Sequence, residues 1–491
     1  MKVRRTKNDV ALRLSLSHSS PSTSSSHFIM FSRSALILLG LMIAGAVLMA
    51  VILQKQPADA PKQAAAPVPV NGPPVTVKDT PFKLTPLAPA PDWKRLEAFQ
   101  GVLTEAEFVQ PLLVLYSDEA AIQSTIKLVA GGAMILKKTG GSDFYFLRFR
   151  DVDPDHPKAS PGTAKSAVTR FWRAVAELPP LAGRPVLSDL KIALDPGHIG
   201  GAWAKMEERY FKAPDGTEVM EGEMTLKVAK LLKARLEALG AQVSLVREKN
   251  EPVTHSKLDD FSELATRILE QMKVKNPKLD YETEPGAIKT ETVRWQKEKL
   301  FYRVAEIHDR AKLVNEKLRP DLVLALHFDA APWADPANPS LVDDTHFHVL
   351  VNGTYSADEL TNDDVRFGML LRLLQKMHNE EWSLASVVAP IMANRTGLPP
   401  YNYIGRPEAR RLDPEQPYIW ARNLLANRVY ECPVLYFEPY VMNNPNFVER
   451  MKLGDFEGKK LIGDKLQTSI LEDYVMGVVE GLVEYYKANR K

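Results

Sequence analysis

From Lys191 onward, short apolar runs alternate with longer stretches of helical period. KIALD reads as a buried strand, and EMTLKVAKLLKARLEALG as a helix whose Leu226, Ala229, Leu232, Leu236 and Leu239 line one face. Gly240 is placed to end that helix. AQVSLVR is a strand, FYRVAEIHDRAKLVNEKL a helix, DLVLALH a strand and FHVLVNG another. VRFGMLLRLLQKMH and LASVVAPIMAN read as helices, CPVLYFE as the last strand, and a helix from Ser469 to about Tyr486 closes the pattern. Such alternation predicts an α/β domain over 188–490, a mainly parallel sheet flanked by helices on both faces. Residues 251–298 interrupt it: they are charged, carry two helical segments, and read as an insertion on that domain.

Upstream the pattern changes three times. Residues 93–165 predict a small α+β helper domain, with helices at LTEAEFVQPLLVLY and EAAIQSTIKLV and paired strands at AMILKK and DFYFLRF. It shows no chemical motif. DVDPDHPKASPG is a turn-rich joint, followed by a helix predicted over TAKSAVTRFWRAVAEL. Residues 55–92 are a Pro/Ala-rich spacer. Before the spacer, Ala35 to Leu53 contains no charged residue and is long enough to cross a hydrocarbon core. Lys2, Arg4, Arg5, Lys7, Arg13 and Arg33 precede it, which orients the tail inward. The expectation is a transmembrane signal anchor at 34–54 in the inner (cytoplasmic) membrane, a disordered cytoplasmic tail at 1–33, and an extracytoplasmic, periplasmic body. A cleaved leader is the alternative, disfavoured by Pro61 directly after Ala58-Asp59-Ala60; Met30 is an alternative start.

Charge and cysteine usage narrow the chemistry. A formal net charge of +2 supplies no field for nucleic acid, so no nucleic-acid partner is expected. With Cys432 alone, neither a disulfide within the chain nor a thiolate zinc site can form, so any metal must sit on histidines and carboxylates. His198 follows KIALD by a Pro-Gly turn, His327 ends DLVLALH, and Glu438 ends CPVLYFE. In open α/β sheets, ligands bind beyond the carboxyl ends of the strands, so these residues can converge there. Glu221 precedes the first turn of the EMTLKVA helix and can return to the same rim. Two histidines and a glutamate with one open position make a catalytic zinc set, and a second carboxylate can act on the bound water.

Each residue also has a plain structural explanation. A lone loop histidine is usually a hydrogen-bonding group, and a Glu before a helix usually faces the helix dipole. Glu438 is harder to explain away, because a carboxylate after Val434-Leu435-Tyr436-Phe437 costs free energy if buried without a partner. His346 and His348, two apart on a strand, share a face and could chelate a metal, although packing is the commoner role. Cys432 reads as a small buried hydrophobe.

The order KIALDPGHIGG, EGEMTLKVAKLLKARLEALGAQVSLVRE, RAKLVNEKLRPDLVLALHFDAA and RVYECPVLYFEPYVMNN resembles the zinc-dependent N-acetylmuramoyl-L-alanine amidase family (type 3), over about Lys191 to Tyr486. The resemblance implies hydrolysis of the amide between N-acetylmuramic acid and L-alanine in peptidoglycan, during cell-wall remodelling or cell separation. It also implies Zn2+ on His198, Glu221 and His327, with Glu438 as the catalytic carboxylate. Glu223 is the alternative to Glu221. Ile199 stands where the family has glycine, and Ala325 and Asp329 stand where it has Ser and Asn. Asn443 and Asn444 match its Asn-bearing turn. Some family members carry a helical plug released by a partner, which makes 251–298 a candidate target for a regulatory protein. A zinc carboxypeptidase-like peptidase and a catalytically inactive wall-binding protein are the competing readings.

Overall fold

The computed structural model describes residues 84–150, 170–333 and 340–490. Its N-terminal part holds helix α1 (Glu105–Pro111) and an antiparallel sheet of β1 (Ile126–Val129), β2 (Gly132–Leu136) and β3 (Phe144–Arg148). The main domain follows with β4 (Lys191–Pro196), a hairpin of β5 (Tyr210–Lys212) and β6 (Glu218–Met220), helix α2 (Glu221–Ala238) and β7 (Gln242–Leu245). Helices α3 (Ser262–Gln271) and α4 (Val293–Leu300) lie in the insertion, and α4 runs on through helical turns to Leu318. Then come β8 (Leu322–Leu326), β9 (Phe347–Val351), α5 (Asp363–Leu374), α6 (Met377–Thr396), β10 (Ala409–Arg411), β11 (Ile419–Arg422), β12 (Val434–Pro439) and α7 (Ile470–Asn489).

The sheet order is β10-β11-β9-β12-β8-β4-β7. β4 runs parallel to β7 and β8, β12 to β8, and β11 to β9, whereas β9–β12 and β10–β11 are antiparallel. The sheet is therefore mixed with a parallel majority, and the α/β expectation holds. Strand periodicity sorts the core. Ile192, Leu194, Leu322, Leu324, Leu326, Leu435 and Phe437 pack with α2, α6 and α7, while Ala193, Val323, Ala325, Val434 and Tyr436 face Ala311 and Val314 of the other layer. Every residue of β8 and β9 is buried, as expected of strands covered on both faces.

Two helix assignments need correction. EAAIQSTIKLV is helical only over Glu119–Ile122, and Ile126–Val129 turns back as a strand on β2 across Gly131, whose φ of +73° a side chain would resist. In TAKSAVTRFWRAVAEL, the described part from residue 170 holds a single tight turn, Val175–Glu177. Tertiary contacts override helix propensity there. Asp321 accepts the Arg173 backbone N–H at 3.0 Å and its guanidinium at 3.0 and 2.6 Å, and the indole of buried Trp172 donates to Gln375 at 3.3 Å. The short strands β5, β6, β10 and β11 were not expected from the sequence pattern.

The N-terminal sheet shares one apolar core with the main domain, Phe99, Phe108, Leu112, Ile135 and Leu147 being continuous with the α5–α7 layer. Arg366 of α5 donates to the Leu136 carbonyl at 2.7 Å, and Ser117 to that of Tyr355 at 2.9 Å. The expected joint, residues 151–162, lies outside the described residues, as do the expected tail, anchor and most of the spacer. Among the described residues, no helix is long and apolar enough to cross a membrane.

His378 sits in this shared core edge-on to Tyr116, with ring centroids 5.8 Å apart. Burial, with Lys376 and Arg372 adding, pushes its pKa down to about 4. An unfolded histidine titrates near 6.5, so below about pH 6.5 the unfolded chain takes up a proton that the folded chain refuses until about pH 4. Stability should therefore fall across that window by up to ~1.4 kcal/mol per pH unit from this group. His378→Phe should shrink the difference between urea midpoints measured at about pH 6.5 and about pH 4.5; an unchanged difference would assign the slope to other groups.

Candidate metal centre

The turn after β4 is built before it is functional. Arg310 is buried and donates to Asp195 Oδ1 and the Pro196 carbonyl, both at 2.8 Å, to the His198 carbonyl at 2.8 Å, and to Glu306 Oε1 at 2.7 Å. Tyr430 donates its hydroxyl to the other oxygen of Asp195. Held this way, His198 adopts φ +56°, a left-handed conformation that costs free energy outside glycine and turns its ring toward β8. Gly197 is dictated by close approach, because a Cβ there would lie 2.2 Å from Cε1 of His327. Asp195 and Gly197 are thus scaffold, and His198 is what they present.

Glu221, the first residue of α2, is 1% exposed and lies between the two histidines. Its Oε1 is 3.1 Å from His327 Nδ1 and accepts the Phe328 backbone N–H at 3.1 Å. Its Oε2 is 3.2 Å from His198 Nε2 and 3.2 Å from Arg209 Nε, yet has no aligned hydrogen bond. One donor atom from each of His198, Glu221 and His327 lies within 4.8 Å of the others. Glu223, one position beyond Gly222, is half-buried and outside this group. Burial pushes the His198 imidazole well below its usual pKa, the direction that favours the ligating form. Burial pushes Glu221 the other way, but His198, His327 and Arg209 outweigh it and hold the carboxylate below its usual range. The His327 ring stacks on Tyr436, with centroids 4.3 Å apart.

Glu438 is the penultimate residue of β12, half-buried, with His348 of β9 as its register partner. Burial raises its pKa well above the ordinary value, and the carboxylates of Asp329 and Glu221 add to the effect against Arg209 and Arg422. All four expected site residues thus occupy one rim. Asn443 and Asn444 serve the backbone: Asn443 pairs with both backbone groups of Ala331 at 3.0 and 2.9 Å, and Asn444 caps the helix beginning at Pro445. Cys432 is a buried free thiol.

Two site residues escaped the sequence reading. Glu207, 2% exposed, accepts the N–H groups of Ile199 and Gly200 at 2.9 and 3.0 Å and approaches His198 Nδ1 at 3.5 Å. Arg209 reaches Glu221 and acts electrostatically on Glu438 as well. Neither falls in an apolar period or at a strand end, so no sequence signal marks them.

Ile199, the departure from the family's glycine, is fully buried with Phe261, Ala265 and Ile268 of the insertion and Leu300 to Tyr302. Trp203 stacks on Phe301 at 5.2 Å, and Lys289 pairs with Glu208 at 2.7 Å. The insertion therefore stands on the turn that carries His198. Ile199→Ala should cost about 2–5 kcal/mol, read as a lowered urea midpoint. A loss under about 1 kcal/mol would mean the cluster closes over the gap.

The sequence model of the N-acetylmuramoyl-L-alanine amidase family (amidase type 3) matches residues 192–467, more than half of the chain. Solved structures that match include the amidase of Mycobacterium smegmatis, at 16% identity over 62% of this chain and 99% of that one, with a TM-score of 0.34. An amidase of Clostridium difficile 630 matches at 13% identity over 61% and 97%, with a TM-score of 0.31. An amidase of Nostoc punctiforme matches at 13% identity over 61% and 97%, with a TM-score of 0.29. No curated protein sequence matches the chain. The family model, running from β4 to well beyond Glu438, carries the assignment: the chain belongs to the N-acetylmuramoyl-L-alanine amidases, hydrolases of bacterial peptidoglycan.

Proposed function

We propose that this amidase is zinc-dependent, with the metal held by His198, Glu221 and His327 and the proton transfers carried by Glu438. The observation that supports it most is the convergence of those three donors within 4.8 Å, at the strand rim that also bears Glu438. The donor set fits zinc: two imidazoles and a carboxylate, no thiolate, and a buried Glu221 oxygen left without a hydrogen bond. When bound, zinc supplies Lewis acidity for the lactyl carbonyl and lowers the pKa of its water toward about 7. Glu438 takes the proton from the attacking water and returns it to the departing L-alanine nitrogen. Glu207 orients His198 from behind, and Arg209 balances the charge of Glu221 and Glu438.

The cellular setting is part of the proposal. Residues 34–54 anchor the chain in the inner membrane, 55–92 space it from the surface, and 93–165 brace a periplasmic catalytic domain at 188–490 for wall remodelling or cell separation. A regulatory protein acting on 251–298 would reach the metal centre through Ile199 and the Glu207–Arg209 segment, which the insertion grips.

Zinc-loaded full-length chain incubated with purified sacculi should release stem peptides that begin at L-alanine and leave the glycan strands intact, by mass analysis. Cleavage within free peptides and none of intact stems would favour the carboxypeptidase reading. Purified protein that takes up no zinc and releases nothing would favour an inactive wall-binding role.

A further inference from the structure

The rim carries a second cluster of metal-ligating side chains, which the proposed chemistry does not use. His346 and His348 leave β9 on one face, and Asp329 comes from the end of β8, tied by backbone hydrogen bonds to Tyr440 and Met442 beyond β12. One donor atom of each of Asp329, His346 and His348 lies within 4.8 Å of the others. His346 Nε2 meets Asp329 Oδ2 at 2.8 Å, while its Nδ1 faces the Asp344 carboxylate at 3.3 Å. His348, 2% exposed, has its Nε2 on the Tyr403 hydroxyl at 3.1 Å, and its Nδ1 has no hydrogen-bond partner.

This is the arrangement of metal-binding histidines rather than of packed ones. Each ring has one nitrogen on an outer oxygen, Asp344 for His346 and Tyr403 for His348, which sets tautomer and orientation; the other nitrogen of His346 meets the carboxylate of Asp329, its proposed fellow ligand, and that of His348 is bare. A buried imidazole nitrogen left bare is costly unless something occupies it. Two imidazoles and one carboxylate suit zinc and its neighbours rather than calcium or magnesium, which prefer all-oxygen shells.

We propose that Asp329, His346 and His348 form a second site for a divalent ion of the zinc class, beside Glu438 and distinct from the His198–Glu221–His327 group. Asp329 is then present as a ligand where the family has Asn, which can offer only a neutral oxygen. The ion would place positive charge next to Glu438, whose register partner is His348.

The test counts metal. The full chain, stripped with a chelator, is titrated with Zn2+ against a chromophoric competitor and then analysed for bound zinc. Two binding steps and two equivalents are expected, with one equivalent left in the His346→Ala/His348→Ala double variant and one left in His198→Ala. Asp344→Asn removes only an outer, solvent-facing partner, so it tests the site without threatening the fold. It should weaken one step by roughly 10–100-fold. A single equivalent abolished by His198→Ala, or unchanged affinity in Asp344→Asn, overturns this second site and leaves the proposed catalytic centre standing. A single equivalent abolished by the double variant but kept in His198→Ala upholds it and refutes the proposed centre.

Discussion

Glu438→Gln is expected to cut release of stem peptides from sacculi by roughly 10²–10⁴-fold while zinc bound at the His198 group stays at the level of the unaltered protein. The carboxylate stands one residue before the end of β12, outside the three-donor group, so its removal subtracts no ligand from that group. Burial and the facing carboxylates of Asp329 and Glu221 raise its pKa well above the ordinary carboxylate value. That direction suits a group that must first accept a proton and then give it back near neutral pH. Gln keeps the shape of Glu and one carbonyl oxygen but cannot take up a proton, so it separates chemistry from packing. Activity within a few-fold of the unaltered enzyme would remove Glu438 from the chemistry altogether.

The parts of this architecture that could be read from sequence are those where one period dominates. β4, β8 and β12 are apolar runs closed by a polar residue, and burial on both faces is what makes such a run a strand. His198, His327 and Glu438 stand at those closures, so the same signal that marks the strand marks the rim. Glu221 was legible only through the helix it begins. The strands β5, β6, β10 and β11, of three or four residues each, carry too few positions for any period, and their pairing is a tertiary event. Glu207 and Arg209 are illegible for a related reason: their roles exist only once the tight turn at Gly201–Trp203 folds the chain back over His198. Ile199 marked a departure at the sequence level and acquired a cause in the structure, since it is the foot on which the insertion stands.

The largest expected loss of stability follows from Arg310. Its guanidinium is buried and forks between two buried carboxylates, Asp195 and Glu306, while also holding the carbonyls of Pro196 and His198. Glu306 in turn accepts the N–H groups of Val253 and Thr254 at 2.8 and 2.9 Å, at the root of the insertion. One side chain thus fixes the end of β4, the turn that presents His198, and the start of 251–298. Arg310→Met should destabilise the chain by about 3–5 kcal/mol, because it takes from two buried carboxylates the only guanidinium in direct contact with them among the described residues. Arg310→Lys should recover little, since a point charge cannot reproduce the fork. Adding Asp195→Asn and Glu306→Gln to Arg310→Met separates two causes. If unpaired charge is the cost, the neutral triple variant regains most of the urea midpoint, because a buried ion pair contributes little net stability against uncharged partners. Zinc affinity should stay weakened even then, since nothing in the triple variant holds the His198 carbonyl. A midpoint for Arg310→Met within about 1 kcal/mol of the unaltered chain would show that the turn stands without it.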